Sequence, residues 1–141
     1  MSGAFHWVRV RLFCYATEDE AKLTEVMNTL TGDVGFETEV SEGHHGNLMT
    51  IFSADITKKR ESESLFSHLG SKLIEQIREQ LDERIDDDCV FYLRLDKQMA
   101  VCGSYEIAHH GDVLSVTAKV IAHPAKKDVA VKRMNEFLQT L

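Results

Sequence analysis

From His6 to Tyr15 the chain alternates without a break. His6, Val8, Val10, Leu12 and Cys14 fall on one side, and Trp7, Arg9, Arg11, Phe13 and Tyr15 on the other. Period two over ten residues specifies a β-strand, because successive side chains of an extended chain point to opposite faces. After His6 the first side is aliphatic or small and must be covered by other parts of the chain. The second side mixes aromatics with arginines, so this strand belongs to a sheet with two unlike faces.

The rest of the chain supplies what covers the apolar face. Thr17 with Glu20 reads as a capping box, and Glu18 and Asp19 suit the positive end of a helix dipole. The spacing of Ala21, Leu23, Val26, Met27 and Leu30 predicts a helix that stops at Gly32. Phe36–Ser41 alternates again, and Leu48–Ile56 reads as a strand. Between them lies EGHHGN, Glu42 to Asn47, the tip of a hairpin in which Gly43, Gly46 and Asn47 tolerate unusual backbone angles. Leu65, Phe66, Leu69, Leu73, Ile74, Ile77 and Leu81 follow helical spacing, with Gly70-Ser71 set to kink or divide the helix. The acidic run Asp86-Asp87-Asp88 ends it as a solvated turn.

Val90–Leu95 is a strand, Asp96-Lys97 a turn, and Gln98–Ile107 the returning strand. After a turn at His109-His110-Gly111-Asp112, Leu114–Val120 is the last strand. Pro124 opens a final helix carrying Ala130, Met134, Phe137, Leu138 and Leu141. The order β-α-β-β-α-β-β-β-α predicts an α+β fold, a largely antiparallel sheet with helices on one face. No linker or repeat divides residues 1–141, which are read as a single domain.

Several function classes are disfavoured. The net charge is −7, so non-specific coating of nucleic acid is not expected and any phosphate-binding surface must be local. The three cysteines have no CxxC spacing, and Cys14 and Cys102 fall in strand-like runs where they read as small core residues. No apolar run approaches membrane-spanning length and the first residues lack signal-peptide order, so a soluble cytoplasmic protein with no membrane partner is expected. There is no P-loop, GxGxxG or GxSxG, and the paired acids lie in a charge run. The chain is therefore read as no enzyme, with no cofactor.

The second sheet face carries the functional expectation. Trp7, Arg9 and Arg11, joined by Tyr92 and Arg94, form a platform on which rings can stack on bases and guanidinium groups can reach phosphates. Lys58, Lys59, Arg60, Lys97, Lys126 and Lys127 form a basic margin if their turns converge. Lys58-Lys59-Arg60 and Lys126-Lys127 both begin helices, where positive charge opposes the dipole and so suggests a use. The competing reading is a dimer interface, where aromatics and arginine are also enriched, with Arg9 and Arg11 paired to Glu37 and Glu39 across strands.

Two turns carry further candidate residues. His44 and His45 are adjacent, which on an extended strand sends them to opposite faces and argues against one shared metal; no metal site is assigned. Their imidazoles remain able to donate to phosphate or to a partner loop. In Asp96-Lys97-Gln98, Lys97 reads as a phosphate contact and Gln98 as a reader of a base edge. The plainer alternative has Asp96 shaping the turn and Gln98 pairing with a neighbour.

The strings VRVRLFCYATEDEAKL, EGHHGN, LRLDKQMA and HPAKK, taken together, resemble an archaeal family labelled predicted exosome subunit or RNA-binding protein. Its fold is similar to that of the ribosomal protein that cradles 5S RNA. The resemblance runs almost end to end, and GHHGN followed by LDKQ is its most specific part. It implies an α+β fold, a cytoplasmic location, a role beside RNA processing or the exosome, and dimers. The combined expectation is a non-catalytic RNA-binding or RNA-processing accessory protein. The alternative is a homodimeric scaffold whose sheet face is a protein interface and which does not bind RNA directly.

Overall fold

The structure is a computed structural model that describes residues 3–42, 46, 48–109 and 111–141. The long alternation forms β1 (Phe5–Tyr15), followed by α1 (Glu20–Thr31) and a single 3₁₀ turn. The hairpin strands are β2 (Glu37–Glu42) and β3 (Leu48–Ile56). Three short helices follow: α2 (Lys59–Ser67), α3 (Ser71–Glu79) and α4 (Leu81–Arg84). The chain ends with β4 (Val90–Asp96), α5 (Lys97–Val101), β5 (Val113–Val120) and α6 (Lys127–Gln139). The sheet is five-stranded in the order β2-β3-β1-β5-β4, and every neighbouring pair is antiparallel. The α+β class with an antiparallel sheet is as expected.

The sheet alternation sorts the two faces. Val8, Val10, Leu12 and Cys14 are buried, as are Phe52, Ala54 and Ile56 of β3, Phe91, Leu93 and Leu95 of β4, and Leu114, Val116, Ala118 and Val120 of β5. The helices close over them. Phe66 of α2 stacks on Phe5 at 5.0 Å between centroids and meets Phe91 and Phe137 edge-on, tying two helices to the sheet. Residues of opposite parity on these strands stay half-buried or exposed.

Local chemistry differs from the sequence reading in several places. The cap of α1 is Asp19, not Thr17: its Oδ1 accepts from the N–H groups of Ala21 at 3.0 Å and Lys22 at 3.4 Å. Asp19→Ala should therefore cost about 1 kcal/mol and Thr17→Ala little, as chemical denaturation would measure. The long helix does divide at Gly70, whose φ of +87° starts α3 from a conformation that favours glycine. Asp86 does more than sit in solvent: its Oδ1 accepts from the backbone of Asp88 and Val90 and shapes the turn into β4.

The expected strand over Gln98–Ile107 is instead α5 followed by an irregular segment, with one bridge between Ile107 and Leu95. Asp96 explains this, since its Oδ1 accepts from Met99 N–H at 3.0 Å and caps a helix immediately after the strand. Cys102 consequently lies exposed at the end of α5, not in the core; Cys14 and Cys89 are the buried ones. Pro124 precedes α6 rather than opening it, and Lys126 is the cap position.

Candidate functional site

The uncovered sheet face collects most of the expected platform. Pairing places Arg9 opposite Asp55 on one side and Thr117 on the other, and Thr117 opposite Tyr92. One row further on, Glu37, Ser53, Arg11, Ser115 and Arg94 run across all five strands. Trp7 faces Lys119, and Lys119 faces Val90. Arg11 and Arg94 are two strands apart, about 10 Å at strand spacings of about 4.8 Å.

The arginines are not equivalent. Arg9 Nε donates to Asp55 Oδ1 at 2.7 Å, an exposed pair worth little to stability but one that offsets its charge. The expected partners Glu37 and Glu39 are on β2, and β3 lies between β2 and β1, so they are not direct neighbours of Arg9 or Arg11. Among the described residues neither Arg11 nor Arg94 forms an ion pair. The guanidiniums of Arg9 and Arg11 lie over the Trp7 and Phe13 rings at 5.2 and 5.4 Å.

Tyr92 is 48% exposed and pinned at its tip, where its hydroxyl donates to Asp86 Oδ2 at 3.2 Å. That bond raises the Tyr92 pKa. For Asp86, burial opposes ionisation, but the N–H of Val90, the Tyr92 hydroxyl and the N–H of Asp88 outweigh it and hold the carboxyl below its ordinary value. Lys119 donates to the Asp88 carbonyl, so its ammonium is partly committed at this corner.

The basic margin does not converge. Lys58, Lys59 and Arg60 follow Ile56, the partner of Val8, and Lys126 and Lys127 follow Val120, the partner of Phe5. Both groups lie at the end of the sheet where β1 starts. Lys97 follows Asp96, whose partner Val113 begins β5, and so belongs to the end where β1 finishes. The length of β1 separates the two ends by roughly 30 Å.

Lys97 is the main correction. It is not a surface phosphate contact: its side chain has no solvent exposure. Its Nζ donates to Phe13 O and Glu18 Oε1, each at 2.6 Å, and pairs with Asp112 Oδ2 at 3.1 Å. The ammonium also lies 4.9 Å from the centre of the Tyr15 ring. Gln98 Nε2 donates to Glu18 Oε2 at 2.9 Å, so its amide is occupied by the plainer of the two expected roles. Burial favours a neutral Glu18, but the hydrogen bonds from Lys97, the Tyr15 N–H and Gln98, together with the Lys97 charge, prevail and hold its pKa below the ordinary 4.5.

TEDE and LDKQ are thus two halves of one clamp, tying the start of α1 to the start of α5. No spacing rule links residues 79 positions apart. The available signal was an aspartate–lysine pair following a strand, where Asp96 could cap a helix.

His44 and His45 lie outside the described residues. Among the described residues no three His, Cys, Asp or Glu side chains come together as metal ligands. No described helix is long and apolar enough to cross a membrane.

An antiparallel α+β fold with one helix-free face, bearing arginines and half-exposed rings, places the chain among the open-sheet α+β proteins. A family model described as "RNA binding" matches residues 7–120, and the chain belongs to that family. It is 35% identical to the RNA-binding protein PAB1135 of Pyrococcus abyssi over 95% of this chain and 94% of that one. Among solved structures it is similar to Mth689, a DUF54 protein from Methanothermobacter thermautotrophicus. That match has a TM-score of 0.79 and 33% identity, and covers 96% of this chain and 98% of the other. It is also similar to AF2318 from Archaeglobus fulgidus, with a TM-score of 0.77 and 31% identity, covering 94% and 99%.

Proposed function

We propose that this protein binds RNA through its open sheet face, as a non-catalytic accessory to RNA processing in the cytoplasm. The row in which Arg11 and Arg94 stand without ion pairs among the described residues, flanked by Phe13 and Tyr92, carries the reading. Rings on a sheet surface stack on unpaired bases, and guanidiniums reach phosphates or stack beside them. Membership of the RNA-binding family and the name of the Pyrococcus relative support it. Lys58, Lys59, Arg60, Lys126 and Lys127, exposed or half-exposed at one end of the sheet, extend the phosphate contacts along the path of a strand. The net charge of −7 makes these contacts local, so binding should favour particular RNA shapes over bulk nucleic acid. Association with an RNA-processing complex such as the exosome follows from the family resemblance and belongs to the same proposal.

The test is titration of single-stranded RNA at several salt concentrations, alongside sedimentation of the free protein. Arg9→Ala/Arg11→Ala should weaken binding about tenfold and flatten the log–log salt slope by about 0.7 for each phosphate the variant no longer neutralises. Absent or salt-independent binding defeats the proposal. If the same variant instead splits a dimer into monomers and wild type binds no RNA, the face is a homodimer interface and the protein a scaffold.

A further inference from the structure

Between α3 and the segment that follows α5 lies a groove that the sheet face does not use. Its volume is about 510 Å³, within the ~300–1,000 Å³ typical of small-ligand sites. Leu69, Leu73 and Ile107 give it an apolar floor. Its polar wall consists of His68, Lys72, Gln76, Gln80, Tyr105 and His109. One carboxylate, Glu106, also lines it and accepts from the Ser104 hydroxyl at 3.3 Å.

Three features narrow the class of ligand. Tyr105 offers a half-buried ring, and burial pushes its hydroxyl pKa up, keeping it a neutral donor. Gln80 is oriented: Arg84 donates to its Oε1 through Nε at 2.9 Å and Nη2 at 2.7 Å. A guanidinium only donates, so the Gln80 amide oxygen is fixed and its NH₂ is the end left for a ligand. His68 and Lys72 flank the start of α3, where the cap residue Gly70 has no side chain to satisfy the first N–H groups.

A flat ring, an oriented amide donor and the Lys72 ammonium beside the His68 imidazole match a base and its phosphate. A lone phosphate would leave the ring and amides unused, and a neutral sugar would leave the ammonium unused.

One wall of the groove is backbone that borders the sheet's edge. Ala108 N–H donates to the Arg94 carbonyl at 2.9 Å, and Ile107 bridges Leu95. The segment lining the groove is therefore the next backbone beyond the strand that carries Arg94.

We infer that this groove holds a single nucleotide unit, its base against Tyr105 and Gln80 and its phosphate near His68 and Lys72. The inference rests on the RNA reading only for the source of that nucleotide, which is either an unpaired residue of a bound strand or a free mononucleotide. Amide NMR of the wild-type chain, titrated with AMP, UMP, inorganic phosphate and a short single-stranded oligoribonucleotide, tests it. AMP or UMP should shift groove amides, and Lys72→Ala and Gln76→Ala, on the exposed side of α3, should each weaken that binding several-fold. Tyr105→Ala should weaken it about tenfold, on the scale of one stacked base. Groove shifts with the oligonucleotide as well identify a strand as the source; shifts with mononucleotides alone identify a free nucleotide. No groove shift with AMP, UMP or the oligonucleotide overturns the inference. Equal shifts and equal affinity for inorganic phosphate overturn it too. An oligonucleotide that shifts only sheet-face amides, with no groove shift from AMP or UMP, defeats the groove and leaves the sheet proposal standing. AMP in the groove with no oligonucleotide binding does the reverse.

Discussion

Lys97→Ala will destabilise the protein by about 3 kcal/mol and leave the salt dependence of RNA binding unchanged. Removing one partner of a buried ion pair strands the other charge, at a cost of about 3–5 kcal/mol. The lower figure applies because Glu18 and Asp112 keep side-chain exposures of 14% and 39% and can recruit water once the ammonium is gone. The Phe13 carbonyl loses a 2.6 Å donor in the same step. For a chain of this size that cost lowers Tm by roughly 10 °C in calorimetry. Lys97→Met/Glu18→Gln should cost less than half as much, since it removes the ammonium and the more buried of its two carboxylate charges, leaves Asp112 to water at 39% exposure, and keeps the stem that fills the site. Acid should act through the same clamp. Glu18 has a folded pKa below its ordinary 4.5, so its stabilisation is fully present above that value and is lost as pH falls through the folded pKa. Lys97→Ala should therefore flatten the stability curve below about pH 4.5. A Lys97→Ala protein of wild-type stability with a reduced salt slope would restore the ammonium to the surface as a phosphate contact.

Lys97 also shows where sequence reasoning stopped. The alternation of β1, β3, β4 and β5 was legible because one face of each strand is buried, and burial on a pleated strand has a period of two. The hairpin and the apolar stripes of the helices were legible for the same local reason. Strand order was not: nothing local says that β3 lies between β2 and β1, so Arg9 was matched to Glu37 and Glu39 rather than to Asp55. The segment after Asp96 failed differently. Ala100 and Val101 satisfy either period, and the cap that decides for a helix is a single hydrogen bond to Met99 N–H. A lysine beside a turn is nearly always solvated, and only the fold brings Glu18, Asp112 and the Phe13 carbonyl around it. The residues of the candidate RNA face were readable from alternation. Which of its arginines are free was not.

That distinction yields the other large effect. Arg11→Glu/Arg94→Glu will weaken RNA binding about 100-fold at low salt, whereas Arg9→Ala alone will weaken it only a few-fold. Charge-assisted hydrogen bonds are worth about 1.5–3 kcal/mol each, so losing two approaches a hundredfold even after partial compensation by water. Arg9 already shares its charge with Asp55 at 2.7 Å, and a phosphate must compete for it. Arg11 and Arg94 have no such competitor among the described residues, and they stand in one row across the sheet. Reversal also turns two attractive points into repulsive ones beside Glu37, which lies in the same row. Both positions are exposed, so the variant should keep wild-type thermal stability, and the loss can be read as binding alone. The log–log salt slope should fall by about 1.4 or more, from about 0.7 for each single-strand phosphate neutralised. Asp55→Ala gives the opposite sign: freeing Arg9 should tighten binding modestly and steepen the slope. If Arg9→Ala outweighs the double reversal, the RNA path follows the Asp55 side of the sheet and not the Arg11–Arg94 row.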